Sequence, residues 1–162
     1  MSPWLRIANA ALLFLCCSMY FGTGWSMGLF SFPIRSQLTV DNYYLVFVPE
    51  VAAATRFFTY MTAVMGVSAA LMIFTERRSW LCAIPIIVLV AVVVSTVLTV
   101  VWIFPYNDAM TSGIKDPAVL AKTLEAWMDL NWVRIALWSV QWAAMMLYFA
   151  VRGATGLRED PA

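Results

Sequence analysis

Charged residues are scarce in this chain. They make up 12% of its 162 residues, about half the share usual in soluble domains. The sequence has ten Lys and Arg and nine Asp and Glu, so there is no basic field that would attract a phosphate backbone. Together with 63% hydrophobic residues, this excludes a soluble enzyme, a disordered tail and a nucleic-acid-binding protein. The composition predicts an integral membrane protein.

Histidine is absent, and cysteine occurs only three times. The commonest ligand of zinc, copper and non-haem iron is therefore missing. Cys16, Cys17 and Cys82 form no C-x-x-C motif, and we interpret them as small apolar packing residues. We expect neither a metal nor a cofactor.

Four apolar stretches are long enough to cross a bilayer as helices. They cover approximately residues 7–32, 51–75, 80–104 and 131–151. Short connections between successive stretches favour an all-α, up-and-down transmembrane bundle of four helices, with residues 1–162 forming one domain. We find no convincing internal repeat.

A helix-start signal lies in the long segment before the fourth stretch. Asp116 suits an N-cap, and Pro117 suits the first helical position. Lys122, Glu125 and Asp129 then decorate successive turns. We predict an amphipathic helical extension that continues directly into the fourth span.

The distribution of basic residues gives the orientation. An even number of spans places both termini on one side, with Arg6, Arg77, Arg78, Arg152 and Arg158. The other side holds Arg35, Arg56, Lys115, Lys122 and Arg134. Without Arg56 and Arg134, which fall within predicted helices, five basic residues lie on the side of the termini and three on the other side. This favours cytoplasmic termini, and we expect a bacterial inner-membrane protein.

A polar and aromatic stripe follows one face of the fourth helix. Its spacings alternate between four and three residues, along Trp127, Asn131, Arg134, Trp138, Gln141, Met145 and Tyr148. Because Arg and Gln are costly against lipid, the stripe should face the bundle interior. Weaker stripes occur on the first helix (Asn9, Cys16, Tyr20, Thr23, Met27) and on the third (Ser95, Thr99, Trp102, Tyr106). Facing one another, the three would line a polar, aromatic cavity that opens toward the long loops.

Arg134 needs a partner for its charge. One interpretation is a structural clamp, in which a carboxylate or amide on the same side of the membrane holds it. Glu50 and Glu125 are candidates, and the leading ones are Asp108, Asn107 and Asp129. The other is a binding role, in which Arg134 holds an anionic or carbonyl oxygen of a ligand. The two are compatible, and Trp138 lies one turn away for a cation–π contact.

Small residues form stripes on the first two helices. Gly24 and Gly28 are four residues apart on the first, and Thr55, Thr59, Thr62 and Gly66 follow the second. We interpret both as helix-packing faces, with a substrate groove as the alternative.

Two motifs flank the long loop. Pro105-Tyr106-Asn107-Asp108 closes the third span, and Trp127-x-x-x-Asn131-x-x-Arg134 opens the fourth. With Gly22-Thr23-Gly24 and Phe32-Pro33 in the first span, they resemble a bacterial and fungal membrane family, largely a domain of unknown function, that includes the anthrone oxygenases.

The resemblance implies a four-helix membrane protein, in some members a cofactor-independent oxygenase of anthrones. It implies Asp108 or Asp129 as the base. Arg134 and Asn107 would hold the developing oxyanion, while Trp127 and Trp138 would enclose the rings. This chain departs from the family where we expect a histidine to be common, because it has Asn131 there and an amide cannot act as a base.

Two classes of function remain open. The first is a protein that binds a small aromatic, quinone-like or lipid-like molecule, with or without oxygenase activity on an anthrone- or quinol-like ring. Its predicted ligand-binding residues are Tyr106, Asn107, Trp127, Asn131, Trp138 and Gln141. The second is a non-catalytic subunit that contacts membrane lipid and stabilises an oligomer or a partner subunit.

Overall fold

The computed structural model describes the backbone of residues 1–159 and the side chains of residues 1–155. Within that part of the chain there are four helical spans and no strand, as the sequence predicts. Span 1 is Pro3–Arg35, span 2 is Tyr43–Glu76, span 3 is Trp80–Thr111, and span 4 begins at Pro117 and is apolar to Thr155. Each is long and apolar enough to cross a membrane. The chain is therefore an all-α integral membrane protein.

The spans form an up-and-down bundle. Span 1 packs on spans 2 and 4, and span 3 packs on the same two spans, so spans 1 and 3 lie diagonally opposite. Side chains of Arg6, Glu76 and Arg152 meet at one end, which places the start of span 1, the end of span 2 and the end of span 4 together. We call this the terminal end, and the opposite end the loop end.

Span 4 is one helix, Pro117–Glu159, 43 residues long. The side chain of Asp116 accepts a hydrogen bond from the Ala118 amide at 2.8 Å, which confirms the predicted cap. Leu120, Leu124 and Trp127 are buried, whereas Lys122 and Glu125 are exposed. The predicted amphipathic extension into the fourth span is confirmed.

Spans 1 and 3 share a departure from α-helical geometry. Span 1 consists of an α-helix Pro3–Ser26, a π-helical turn Met27–Ser31 and a short helix Phe32–Arg35. Span 3 consists of a 3₁₀ turn Trp80–Cys82, a helix Ala83–Leu98, a π-helical turn Thr99–Ile103 and a helix Phe104–Thr111. Spans 1 and 3 thus share a local motif, a π-helical turn followed by a short helix, that the sequence analysis did not identify.

A proline follows both π turns at the same position. Pro33 and Pro105 each follow a phenylalanine directly after the turn. Proline has no amide hydrogen, and its ring clashes with the carbonyl four residues before it. The preceding amides, of Phe32 and Phe104, instead bond five residues back to the carbonyls of Met27 and Thr99. The π turns accommodate proline without breaking either span.

Span 1 approaches span 4 through its glycines. A Cβ atom at Gly24 would lie 2.7 Å from the Trp138 ring, and one at Gly28 would lie 2.6 Å from Trp132. The predicted packing face of span 1 is confirmed. The stripe on span 2 does not pack in this way, because nothing lies within 4 Å of a Cβ atom at Gly66 and its threonines line a cavity. For span 2 the packing interpretation is wrong.

Buried ion pairs close the terminal end. Glu76 is 3% exposed and binds Arg152 at 2.6 Å, Arg6 at 2.9 Å and the Tyr148 hydroxyl at 3.0 Å. One carboxylate thus joins spans 1, 2 and 4. The second predicted stretch, residues 51–75, ends one residue before Glu76, so the burial of this side chain was not predicted.

We predict that Glu76→Gln destabilises the bundle by about 1–3 kcal/mol, because the neutral amide loses the charge-assisted hydrogen bonds that the buried carboxylate makes to Arg6 and Arg152. The midpoint of thermal unfolding in detergent should fall clearly. Glu125→Gln is the matched control, since Glu125 is exposed. Equal midpoints for the two variants would show that the pairs at Glu76 do not stabilise the fold.

Candidate functional site

A cavity of about 410 Å³ occupies the loop-end half of the bundle and is lined by all four spans. It lies between two hydrophobic clusters. The terminal-end cluster includes Tyr20, Met65 and Trp138, and the loop-end cluster includes Phe47 and Trp127. The bundle core is therefore interrupted here rather than continuous.

Aromatic side chains form the inner limit of the cavity. The Tyr20 ring lies 4.6 Å from the Phe58 ring and 4.9 Å from the Trp138 ring, measured between centroids. The Tyr20 hydroxyl donates to the Phe58 carbonyl and lies 2.6 Å from the Thr62 hydroxyl. These contacts fix the three rings, so the cavity has a rigid aromatic floor.

Hydroxyl groups cover much of the wall. They belong to Thr23, Ser26, Ser31, Thr55, Thr59, Thr62, Ser95, Thr96 and Thr99. Several donate to carbonyls of their own helix, among them Thr59 to Thr55 and Thr99 to Ser95. Their oxygen lone pairs remain available to accept hydrogen bonds, so the wall suits a ligand that is apolar in its body and polar at its edges.

Arg134 lines the cavity, one turn from Trp138 along span 4. Its guanidinium carbon lies 4.6 Å from the Trp138 ring centroid, and Nη1 donates to the Thr99 hydroxyl at 3.3 Å. Nε is buried and has no hydrogen-bond partner among the described residues. Asp108, Asn107 and Asp129 do not hold it, so the predicted clamp is wrong. The two aspartates are exposed, whereas Asn107 accepts a hydrogen bond from Trp127 Nε1 at 2.8 Å.

Arg35 and Glu50 form an ion pair of 2.8 Å at the loop end of the cavity. Arg35 is 4% exposed, and its guanidinium carbon lies 4.7 Å from the Phe47 ring centroid and 4.9 Å from that of Trp127. Among the described residues, Glu50 is the one carboxylate that lines the cavity. Two arginines and one glutamate leave this cavity with a net charge of +1.

The structure brings four of the nine predicted site residues to the cavity: Asn107, Trp127, Arg134 and Trp138. Tyr106, Asp108, Asp129, Asn131 and Gln141 do not line it. Asn131 is fully buried and donates to the Trp127 carbonyl at 2.7 Å, and Gln141 is also buried. Asp108 and Asp129 are exposed. A base role for either aspartate at this cavity has no geometric support.

Sequence analysis missed Arg35 as a cavity residue and considered Glu50 only as a partner of Arg134, whereas Glu50 pairs with Arg35. The reason is that the predicted spans began and ended short of both residues. A signal was present. Arg35 follows Met27 and Ser31 at intervals of four, and Glu50 precedes Ala54 and Phe58 at the same interval, so each continues a face that lines the cavity. Following these two helix faces beyond the apolar stretches would have identified Arg35 and Glu50.

Metal binding finds no support in the described part of the chain, which contains no cluster of three or more His, Cys, Asp or Glu side chains. The groups that line the cavity are suited instead to hydrogen bonding, ring stacking and charge compensation. Comparisons with protein-family models, with curated proteins and with solved structures gave no match.

We predict opposite effects on stability for two arginines of span 4. Arg134→Met removes a charge that lacks an ionic partner, and the apolar replacement should leave the unfolding midpoint in detergent unchanged or raise it. Arg152→Met is the matched control, because it breaks the pair with Glu76 and should lower the midpoint. A loss at Arg134 as large as that at Arg152 would show that Arg134 stabilises the fold.

Proposed function

We propose that the protein binds a small ring-containing molecule within the membrane, with an oxygen atom of that molecule at Arg134. One observation carries this proposal: a guanidinium group lines the cavity with a buried Nε that has no partner. A buried donor without a partner costs free energy, and a charged side chain inside a bundle usually marks a functional site. A carbonyl or anionic oxygen in the cavity would compensate the charge of the guanidinium group.

The walls support a flat, apolar ligand body. Trp127, Trp138 and Phe58 all line the cavity, and their rings offer faces and edges for stacking. The volume of about 410 Å³ lies toward the lower end of the range for small-molecule sites. An open cavity at this position favours ligand binding over a purely structural subunit, whose aromatic stripe its own side chains would fill.

We propose binding rather than oxygenation as the function. Oxygenation of an anthrone-like ring needs a base beside the ring. The aspartates that the resemblance suggests, Asp108 and Asp129, are exposed and lie outside the cavity lining. Membership of the anthrone oxygenase-like family is part of the proposal, and the aromatic walls agree with the ring-shaped ligands that such a family implies.

We predict that 2-methyl-1,4-naphthoquinone binds the detergent-solubilised protein and quenches tryptophan fluorescence, because Trp127 and Trp138 line the cavity. Arg134→Met should raise Kd at least about tenfold, the loss of one charge-assisted hydrogen bond. Arg77→Met, at an exposed turn, is the control and should leave Kd unchanged. Equal Kd values for wild type and Arg134→Met would refute the proposed role of Arg134, and absence of quenching in the wild type would refute a naphthoquinone-sized site.

We also propose that the terminal end faces the cytoplasm of a bacterial cell and that the cavity opens toward the other side. The basic side chains of Arg77 and Arg78 are exposed at the terminal end, as the positive-inside rule requires.

Single cysteines test this orientation in a chain whose native cysteines are replaced by alanine. A membrane-impermeant maleimide should label Ser112→Cys in intact cells, and Thr155→Cys only after permeabilisation; both positions are exposed. The reverse pattern would invert the orientation.

A further inference from the structure

The charges around the cavity do not balance. Arg35 is compensated by Glu50 at 2.8 Å. Arg134 makes a hydrogen bond to a neutral hydroxyl and a cation–π contact, and among the described residues no carboxylate lies within ion-pair distance of it. A bound neutral molecule would leave the +1 charge in place, whereas a monoanion would cancel it. In a low-dielectric setting this difference is large.

The Arg35–Glu50 pair is asymmetric in its freedom to move. Phe47 and Trp127 flank the Arg35 guanidinium, which is buried. The Glu50 side chain is 54% exposed, so it has more freedom to move than the buried Arg35. Arg35 Nη1 is buried and has no partner among the described residues. The pair therefore has spare hydrogen-bonding capacity on the side of the arginine.

Both arginines contact tryptophans of the same helix face. Arg35 lies against Trp127, and Arg134 lies against Trp138. Trp127 and Trp138 are eleven residues apart in one helix, which corresponds to a separation of roughly 16 Å along the helix axis. An anion that passes Arg35 thus meets a second guanidinium deeper in the same cavity.

We propose that the cavity binds a ring-bearing monoanion, such as an enolate, a phenolate or an aromatic carboxylate, and that Arg35 is its entry site. The proposal rests on the function proposed above and adds the charge of the ligand and its route. The anion displaces Glu50 from Arg35 and then moves inward to Arg134. When no anion is bound, Glu50 neutralises Arg35, so the entrance does not contain an unpaired buried charge.

Two probes of nearly the same shape separate charge from ring binding. 2-Hydroxy-1,4-naphthoquinone is an anion at neutral pH, and 2-methyl-1,4-naphthoquinone is neutral. In nanodiscs of phosphatidylcholine, the wild type should bind the anionic probe at least about tenfold more tightly, and Arg134→Met should abolish this preference. If both probes bind wild type equally, the charge assignment fails while the proposed function stands. If neither binds, the proposed function fails as well.

Stopped-flow fluorescence tests the entry site. Glu50→Gln removes the competing carboxylate and makes the entrance more positive, so the association rate of the anionic probe should rise about three- to tenfold. The rate for the neutral probe should stay unchanged. Equal acceleration of both probes would show that the variant merely widens the entrance, and an unchanged rate for the anion would also overturn the entry role.

Arg35→Gln provides a second, opposite variant. It should slow association of the anionic probe while the equilibrium preference conferred by Arg134 persists. A lipid phosphate is the competing source of an anion at Arg35. Nanodiscs containing phosphatidylglycerol distinguish the two. The negative bilayer surface should lower the apparent affinity for the anionic probe equally in the wild type and in Arg35→Gln, whereas competition by this lipid at Arg35 would lower it further in the wild type alone and would overturn the proposal.

Discussion

The cost of placing a charge inside a membrane bundle organises this molecule. Among the residues that the structure describes, four arginines contact a span other than their own or the segment next to it: Arg6, Arg35, Arg134 and Arg152. Three of them bind a carboxylate, and each such pair joins different parts of the chain. Arg134 alone among these four relies on a hydroxyl and an aromatic ring. A buried charge without an ionic partner is costly and usually has a functional role. The environment of Arg134 therefore supports the proposed site at the cavity.

The two ends of the bundle differ in how closely their cores are packed. At the terminal end, Glu76 binds two arginines and a tyrosine, and a continuous hydrophobic cluster lies next to it. At the loop end, the core opens around hydroxyls and rings. Tyr43 closes that end from above, since its hydroxyl donates to the Met110 carbonyl and accepts from the Ile114 amide. One end holds the helices together, so the other is free to enclose a ligand.

The sequence was sufficient for the helices and for one wall of the site. Apolar length predicted four spans, the Asp116 cap predicted the extension, and the spacing of the polar stripe predicted which face of span 4 turns inward. Burial of Trp127, Asn131, Trp138 and Gln141 confirms that face.

Prediction of span ends from apolar length failed where the helices continue beyond the apolar stretch. Arg35 and Glu50 looked like loop residues because hydropathy ends at the first charge, whereas the helices run on as far as their backbone hydrogen bonds continue. The partner of Arg134 was not predictable either, since spacing within one helix says nothing about which residue of span 3 faces it. Pairing across helices depends on the rotation of each span, and the π turns alter that rotation.

Those π turns also bear on how such a cavity is kept or lost over time. A π turn holds one residue more than an α-helix would use over the same stretch, so the residues beyond it are rotated by about 100° relative to an uninterrupted helix. Loss of a single codon within Met27–Ser31 or Thr99–Ile103 would remove the extra residue and restore an α-helical turn, so Arg35 or Asn107 would keep its face toward the cavity. A one-codon deletion in the α-helical part of either span would instead rotate the residues on its two sides by about 100° relative to each other. The π turns are therefore the places where these spans can lose a residue without disturbing the register between the membrane scaffold and the cavity lining.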